Sequence, residues 1–337
     1  MKKAVAVLLS LLLVFSCAGL AFAQESKPGF GDYEHVFIIG VDGAGGAFGQ
    51  VDTPNFDRIF ADNAYTHNGK AEYLTISAQN WGSILTGVDY ETHGFTNDST
   101  GDISRSSDSP NNSIFYYARQ AFPDARLVSF NHWSNINHGI IENDLGVKKI
   151  NRLSDPLVTD AIVNEFQSGK APKLMFVQLD DADHAAHTYG GFSDEYYAAV
   201  QTEDGYLGQI YDAIDAKGLM KDSLFILVAD HGETAGGHGG QTPEESAVVV
   251  AVAGHSVNQT MLSEETRNRD VAAIALYALG IEQPEHFTCS VPEGLFGESR
   301  EKTVAPNPAA RTAKDIFLTV IYRMVNLLVG CFDFLAK

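Results

Sequence analysis

The chain has 337 residues, 45% of them hydrophobic, which is enough to bury one sizeable core in one large domain or two. Acidic residues outnumber basic ones 43 to 23, a formal charge of −20. That balance excludes bulk nucleic-acid binding, because a polyanion needs a basic footprint; the 3 cysteines exclude a disulfide framework and a cysteine-rich zinc site.

Residues 1–23 read as a secretory signal. Lys2 and Lys3 form its basic start, 4–20 its apolar core, and Ala21-Phe22-Ala23 an A-x-A cleavage site before Gln24. A competing reading makes Cys17 the lipidated residue of a lipoprotein signal, a pattern that Phe15 fits poorly. Removal of Lys2 and Lys3 takes the formal charge from −20 to −22. The mature protein is then expected to be exported, to the periplasm, the cell envelope or the medium. A small anionic substrate would need metal ions to draw it to so acidic a surface.

The first strand of the mature chain is 35–42 (HVFIIGVD), an apolar run that ends in Asp42 and Gly43. The glycine-rich turn 43–49 lacks the Lys-Ser/Thr of a P-loop. Thr53 and Pro54 open a helix as N-cap and first residue. In 71–87 (AEYLTISAQNWGSILTG), Thr75 and Ser77 are hydroxyls just before an expected helix over 79–85. A hydroxyl at a helix N-terminus sits in a field that favours anions, and beside a metal it can ionise and attack phosphorus. A lone Ser before a helix is more often a plain N-cap, and the two roles are compatible.

Residues 88–151 are polar at first, then supply a helix over 114–122, a strand over 127–130 and Asn131-His132-Trp133. This insertion reads as the rim of a substrate pocket. His132 and His138 are taken as loop histidines and not as ligands. A helix over 157–167 and a strand over 173–179 follow. The strand runs into Asp180-Asp181-Ala182-Asp183-His184-Ala185-Ala186-His187. Asp183 and His187 stand at i, i+4, one face of a helical turn and ligand spacing for one ion. One ion cannot use all of these groups, so some must lie behind the ligands or in solvent.

A long helix is expected over 194–218. The apolar run 225–228 then reads as a buried parallel strand ending in Asp230 and His231, and a glycine-rich turn delivers His238. Such strand ends are where ligands collect in open α/β sheets. Carboxylate and imidazole together suit Zn²⁺ or a similar ion. A strand over 247–252 and a helix over 270–279 complete an α/β domain with a mostly parallel central sheet flanked by helices. Residues 24–313 are taken as the catalytic domain. The apolar segment 314–337 is too short for a comfortable membrane span. Its part 315–337 either lies on a membrane surface, a peripheral contact, or packs back on the domain.

With these pieces in place the chain resembles the alkaline phosphatase superfamily, and within it the type I phosphodiesterase/nucleotide pyrophosphatase-like branch. The resemblance runs over roughly 36–297. Its motifs are Asp42-Gly43, the TPN at Thr53, Ser77 with Asn80 and Thr86-Gly87, Asp183-x-x-x-His187, and Asp230-His231-Gly232 with His238. It implies an alkaline phosphatase-like three-layer α/β/α fold and two divalent ions, Zn²⁺ with Mn²⁺ also compatible. One ion would be held by Asp183, His187 and His238, the other by Asp42, Asp230, His231 and the oxygen of the nucleophile. The nucleophile of this family lies ten residues before the Gly of a T-G pair, which is Ser77. Asn80 would help hold the phosphoryl oxygens.

Departures narrow the function. Ser77-Ala78-Gln79-Asn80-Trp81 has neither the Pro nor the Arg of a formylglycine sulfatase. Ser77 and Gln79 stand where phosphodiesterases of the branch usually have Thr and Pro. The expected activity is hydrolysis of small phosphate esters, diesters or monoesters, through a covalent phosphoserine. A sulfatase or phosphonate hydrolase on the same scaffold is the alternative enzyme. An idle metal-containing binding protein of the envelope is the alternative outside catalysis.

Overall fold

The structure is a computed structural model that describes residues 27–299. The expected signal segment and the 314–337 segment lie outside the described residues. Among the described residues no helix is long and apolar enough to cross a membrane.

Eight strands form one sheet: β1 (His35–Val41), β2 (Ala64–Lys70), β3 (Leu127–Asn131), β4 (Lys148–Asn151), β5 (Leu174–Leu179), β6 (Ser223–Ala229), β7 (Ala247–Ala253) and β8 (Thr260–Met261). Their order is β4-β3-β5-β1-β6-β7-β2-β8. The run from β4 to β6 is parallel, whereas β7 is antiparallel to both β6 and β2. Every residue of β3, β5 and β6 is buried, on both faces of the pleat. Such strands need helices above and below, and that is why they read as continuous apolar runs without alternation.

The helices used below are α1 (Pro54–Phe60), α2 (Ser77–Thr86), α3 (Ile114–Ala121), α4 (Asp155–Ser168), α5 (Asp181–Tyr189), α6 (Asp194–Asp215) and α7 (Asp270–Ala278). The helices α1, α4 and α5 pack on α6; α2 and α3 pack on α7. The sheet is thus part of an α/β domain with a mostly parallel sheet, as expected. Helix α2 starts at Ser77, two residues before the sequence expectation, and ends at Gly87 with φ of +68°. Strand β2 was not anticipated. Its sequence, AYTHNGK, is polar, and its register against β7 shifts between Thr66 and Gly69.

One close approach fixes α2 over the sheet. A Cβ on Gly40 would stand 2.4 Å from the Trp81 ring, so only glycine lets Trp81 settle on β1. Trp81 is fully buried with its ring centroid 5.6 Å from that of Phe176. Anchored there, α2 presents its first residue, Ser77, at the carboxyl end of the sheet.

Candidate active site

The parallel register brings three strand ends to one level. Val41 of β1 is paired with Leu179 of β5 on one side and Ala229 of β6 on the other. The residues that follow, Asp42, Asp180 and Asp230, therefore leave the sheet side by side. Helix α5 then carries Asp183 and His187, and the turn after β6 carries His231 and His238.

Asp42, Asp230, His231 and Ser77 converge. His231 Nε2 is 3.5 Å from Asp42 Oδ1, 3.2 Å from Asp230 Oδ2 and 3.4 Å from Ser77 Oγ. Its Nδ1 faces the Gly232 carbonyl at 3.2 Å. Donation there leaves the Nε2 lone pair turned toward the two carboxylates and the hydroxyl. Each carboxylate spends one oxygen on the protein and keeps the other. Trp81 Nε1 and Gln178 Nε2 donate to Asp42 Oδ2 at 2.8 and 2.9 Å. Gly43 N and His231 N donate to Asp230 Oδ1 at 3.1 and 2.8 Å. Asp42 Oδ1 and Asp230 Oδ2 are buried without a hydrogen-bond partner.

Asp183, His187 and His238 form the adjoining group. Asp183 Oδ2 is 3.4 Å from His187 Nε2, Asp183 Oδ1 is 3.5 Å from His238 Nε2, and the two imidazole nitrogens are 3.2 Å apart. Asp183 Oδ1 is a third buried oxygen without a partner. His238 Nδ1 lies 2.6 Å from the Thr75 carbonyl, which again turns Nε2 to the site. The ring of His238 stacks on that of His231 at 3.8 Å.

Thr75, set aside in favour of Ser77 as nucleophile, supports the His238 turn: its hydroxyl accepts from Gly239 N at 2.9 Å and donates to the Gly240 carbonyl at 3.2 Å. Thr75→Val removes those bonds but keeps the carbonyl. It is expected to weaken one ion by about 10-fold, the usual cost of losing support behind a ligand, with Ser77 untouched; calorimetric metal titration measures this.

Burial and like charge act together here. Burial first, then the charges of Asp230, Asp183 and Asp180, hold the Asp42 carboxyl well above the usual range. Burial does the same to Asp230, with Asp183 adding to it. Burial and the neighbouring His238 and His187 depress His231 well below an ordinary imidazole. Three carboxylates and three imidazoles with unpartnered oxygens aimed at one another form a donor set that fits divalent metal ions.

Asn80 is not brought to this pocket. It is fully buried, its Oδ1 accepts from Glu72 N and Asn268 Nδ2, and its Nδ2 donates to the Leu74 and Ile76 carbonyls. All its bonding capacity is spent on folding the loop before Ser77, so it has none for a phosphoryl oxygen. Asn97 is bonded to the first turn of α2. Its Oδ1 accepts from Ala78 N at 3.0 Å, beside Ser77, so its amide NH₂ is the group left to donate. Its only sequence signal was its place in a polar segment.

Nor is Ser77 a side-chain cap: it is the first residue of α2, half-buried, and its hydroxyl makes no cap bond. The extra acids after β5 find structural roles. Asp180 accepts from Gln178 Nε2 at 2.7 Å. Buried Asp155 accepts from Asp180 N and Asp181 N, and Glu203 from Ala182 N. Helix α5 is thus capped by carboxylates of α4 and α6. His132, not taken as a ligand, pairs with Asp155 at 2.9 Å.

Several solved structures share this fold. Murine ectonucleotide pyrophosphatase/phosphodiesterase 5 matches with a TM-score of 0.63 at 13% identity, over 75% of this chain and 97% of that one. An inactive threonine-to-alanine variant of that murine protein is solved in complex with AMP. The phosphonate monoester hydrolase of Agrobacterium radiobacter matches with a TM-score of 0.58 at 15% identity, over 81% and 79% of the two chains. The fold is alkaline phosphatase-like.

The model of the type I phosphodiesterase / nucleotide pyrophosphatase family matches residues 36–113 and 116–286, and the chain belongs to that family. Its members are hydrolases of phosphate esters. Among individual relatives, the GPI ethanolamine phosphate transferase 1 of Saccharomyces cerevisiae is 25% identical over 166 residues, 43% of this chain and 18% of that protein. The ectonucleotide pyrophosphatase/phosphodiesterase family member 1 of Mus musculus is 26% identical over 202 residues, 54% and 22%. The alignments span about a fifth of the length of those relatives.

Proposed function

We propose that this protein is an exported hydrolase of small phosphate esters that works through a phosphoserine at Ser77. The observation that carries this reading is the convergence of Ser77 Oγ, Asp42 Oδ1 and Asp230 Oδ2 within 3.2 to 3.5 Å of His231 Nε2. Family membership and the nucleotide bound to the murine neighbour support a phosphate-ester substrate, and the expected signal segment supports export.

In this reading Asp183, His187 and His238 hold one divalent ion, and Asp42, Asp230, His231 and Ser77 hold a second. Bound there, the ions supply Lewis-acid activation of the attacking hydroxyl and neutralise charge on the leaving oxygen. Ser77 sits at the N-terminus of α2, whose field favours the anionic substrate. Its Oγ gives up its proton to solvent and bonds to phosphorus in line with the ester oxygen; that P–O bond breaks and the alcohol leaves with a proton from solvent. Water then cleaves the phosphoserine, releasing phosphate or its monoester and restoring the hydroxyl. The Asn97 amide donates to an equatorial phosphoryl oxygen, where charge develops.

The test is hydrolysis of four p-nitrophenyl esters by the Zn²⁺- or Mn²⁺-loaded protein: the bis-phosphate, the monophosphate, the phenylphosphonate and the sulfate. The bis-phosphate is expected to be the best substrate. Preference for the monophosphate would make the protein a phosphatase with the same residues. Preference for the sulfate would overturn the substrate class.

A further inference from the structure

Glu233 follows the Asp230-His231 pair and belongs to neither ligand group above. It is 2% exposed, and neither carboxylate oxygen has a hydrogen-bond donor among the described residues. One of its oxygens lies within 4.8 Å of ligand atoms of Asp183, His231 and His238. Gly43, with φ of +64°, makes the room: a Cβ there would stand 3.1 Å from Glu233 Oε1 and 2.9 Å from Cα and Cβ of Asp183. The turn after β1 therefore lies directly against both acids.

A buried carboxylate without donors must be compensated by a cation or stay neutral. Asp183 beside it has the same sign. The ring nitrogen facing it, His231 Nδ1, is 3.9 Å away and faces the Gly232 carbonyl at 3.2 Å. Among the described residues no lysine or arginine pairs with Glu233. In the group of Asp183, His187 and His238, the His187 side chain is 56% exposed. The first ion's site thus has a solvent side, closed by an imidazole, and an inner side occupied by an unpartnered carboxylate.

We propose that Glu233 is a further carboxylate ligand of the ion held by Asp183, His187 and His238. The proposal rests on the reading that these residues hold an ion at all. Two carboxylates and two imidazoles would neutralise a divalent cation, and the added oxygen ligand would shift the site toward Mn²⁺ relative to one with a single carboxylate.

Metal content and calorimetric titration of the chelator-stripped full chain with Zn²⁺ test this, together with the visible absorption of the Co²⁺-substituted protein. Wild type is expected to take up two ions. Glu233→Gln, which keeps shape and loses charge, is expected to keep one and to bind the other more than about 100-fold more weakly, beyond the losses seen for residues behind the ligands, with an altered Co²⁺ spectrum. Glu233→Asp, which keeps charge but withdraws the oxygens, should show the same selective loss. Two ions bound with unchanged affinity and spectrum in either folded variant would overturn the assignment. A wild type that binds no ion would instead defeat the underlying two-ion reading, and the ligand assignment with it.

Discussion

Ser77→Ala is expected to lower kcat by roughly 10⁴- to 10⁶-fold, the scale seen when the nucleophile of a covalent mechanism is deleted. The fold should not suffer. Ser77 is half-buried, makes no cap bond, and begins α2 at a position that alanine tolerates. Its hydroxyl is one donor among four in its group, so both ions should remain bound, with the second modestly weakened. Turnover of the best ester, metal content by mass spectrometry and acid-quench trapping of a phosphorylated peptide around Ser77 give three readings of one substitution. Wild type should yield the phosphopeptide and the variant none. A Ser77→Ala protein within tenfold of wild-type turnover, with both ions in place, would refute the nucleophile. Thr75→Val provides the contrast, since it disturbs an ion and leaves the nucleophile.

Removing the ions is expected to reverse the way stability depends on pH. In the metal-free protein burial, then Asp183, pushes Glu233 up from 4.5 to about 10, and Asp42 and Asp230 are raised in the same direction. A carboxyl with a raised folded pKa is held neutral by the fold. Its contribution is complete below the unfolded value and is lost as pH climbs through the folded one. Metal-free protein should therefore lose stability steadily from about pH 5 to about pH 10.

The loaded protein should behave oppositely. Ions need these carboxylates ionised, so binding releases protons and tightens as pH rises. Ions present at 100 times their dissociation constants stabilise by about 2.7 kcal/mol per site, which is roughly 5 °C in Tm per site for a domain of this size. The gap in Tm between loaded and chelator-treated protein should widen from pH 5.5 to pH 8.5, as read by scanning calorimetry. A constant or narrowing gap would remove the argument that unpartnered acids await cations. Asp42→Asn is a sharper probe: it relieves repulsion, so at pH 8 it should stabilise the metal-free protein while abolishing turnover.

Much of the site is legible in the sequence because its grammar is local. Apolar runs that end abruptly in Asp42 and Asp230 mark buried strands and their carboxyl ends. The i, i+4 spacing of Asp183 and His187 is a property of one helical turn, and α5 does form there. The parallel order of β5, β1 and β6 follows from alternating strands and helices, and it suffices to bring those ends to one level. The polar strand β2 escaped because its neighbours, not its own pattern, hold it in the sheet.

What the sequence determined by itself is the class of donors and their positions along the chain. The tertiary structure decided how each donor is spent. Asn80 and Asn97 are equivalent in type; only contacts with Glu72, Asn268 and Ala78 separate the one that builds the loop from the one that binds the residue after Ser77. Asp155 and Glu203 cap α5 from α4 and α6, across 25 and 21 residues. Glu233 is one more acid after Asp-His-Gly until burial strips it of donors. Hydrogen-bond saturation is a sum over long-range neighbours, and no local period encodes it.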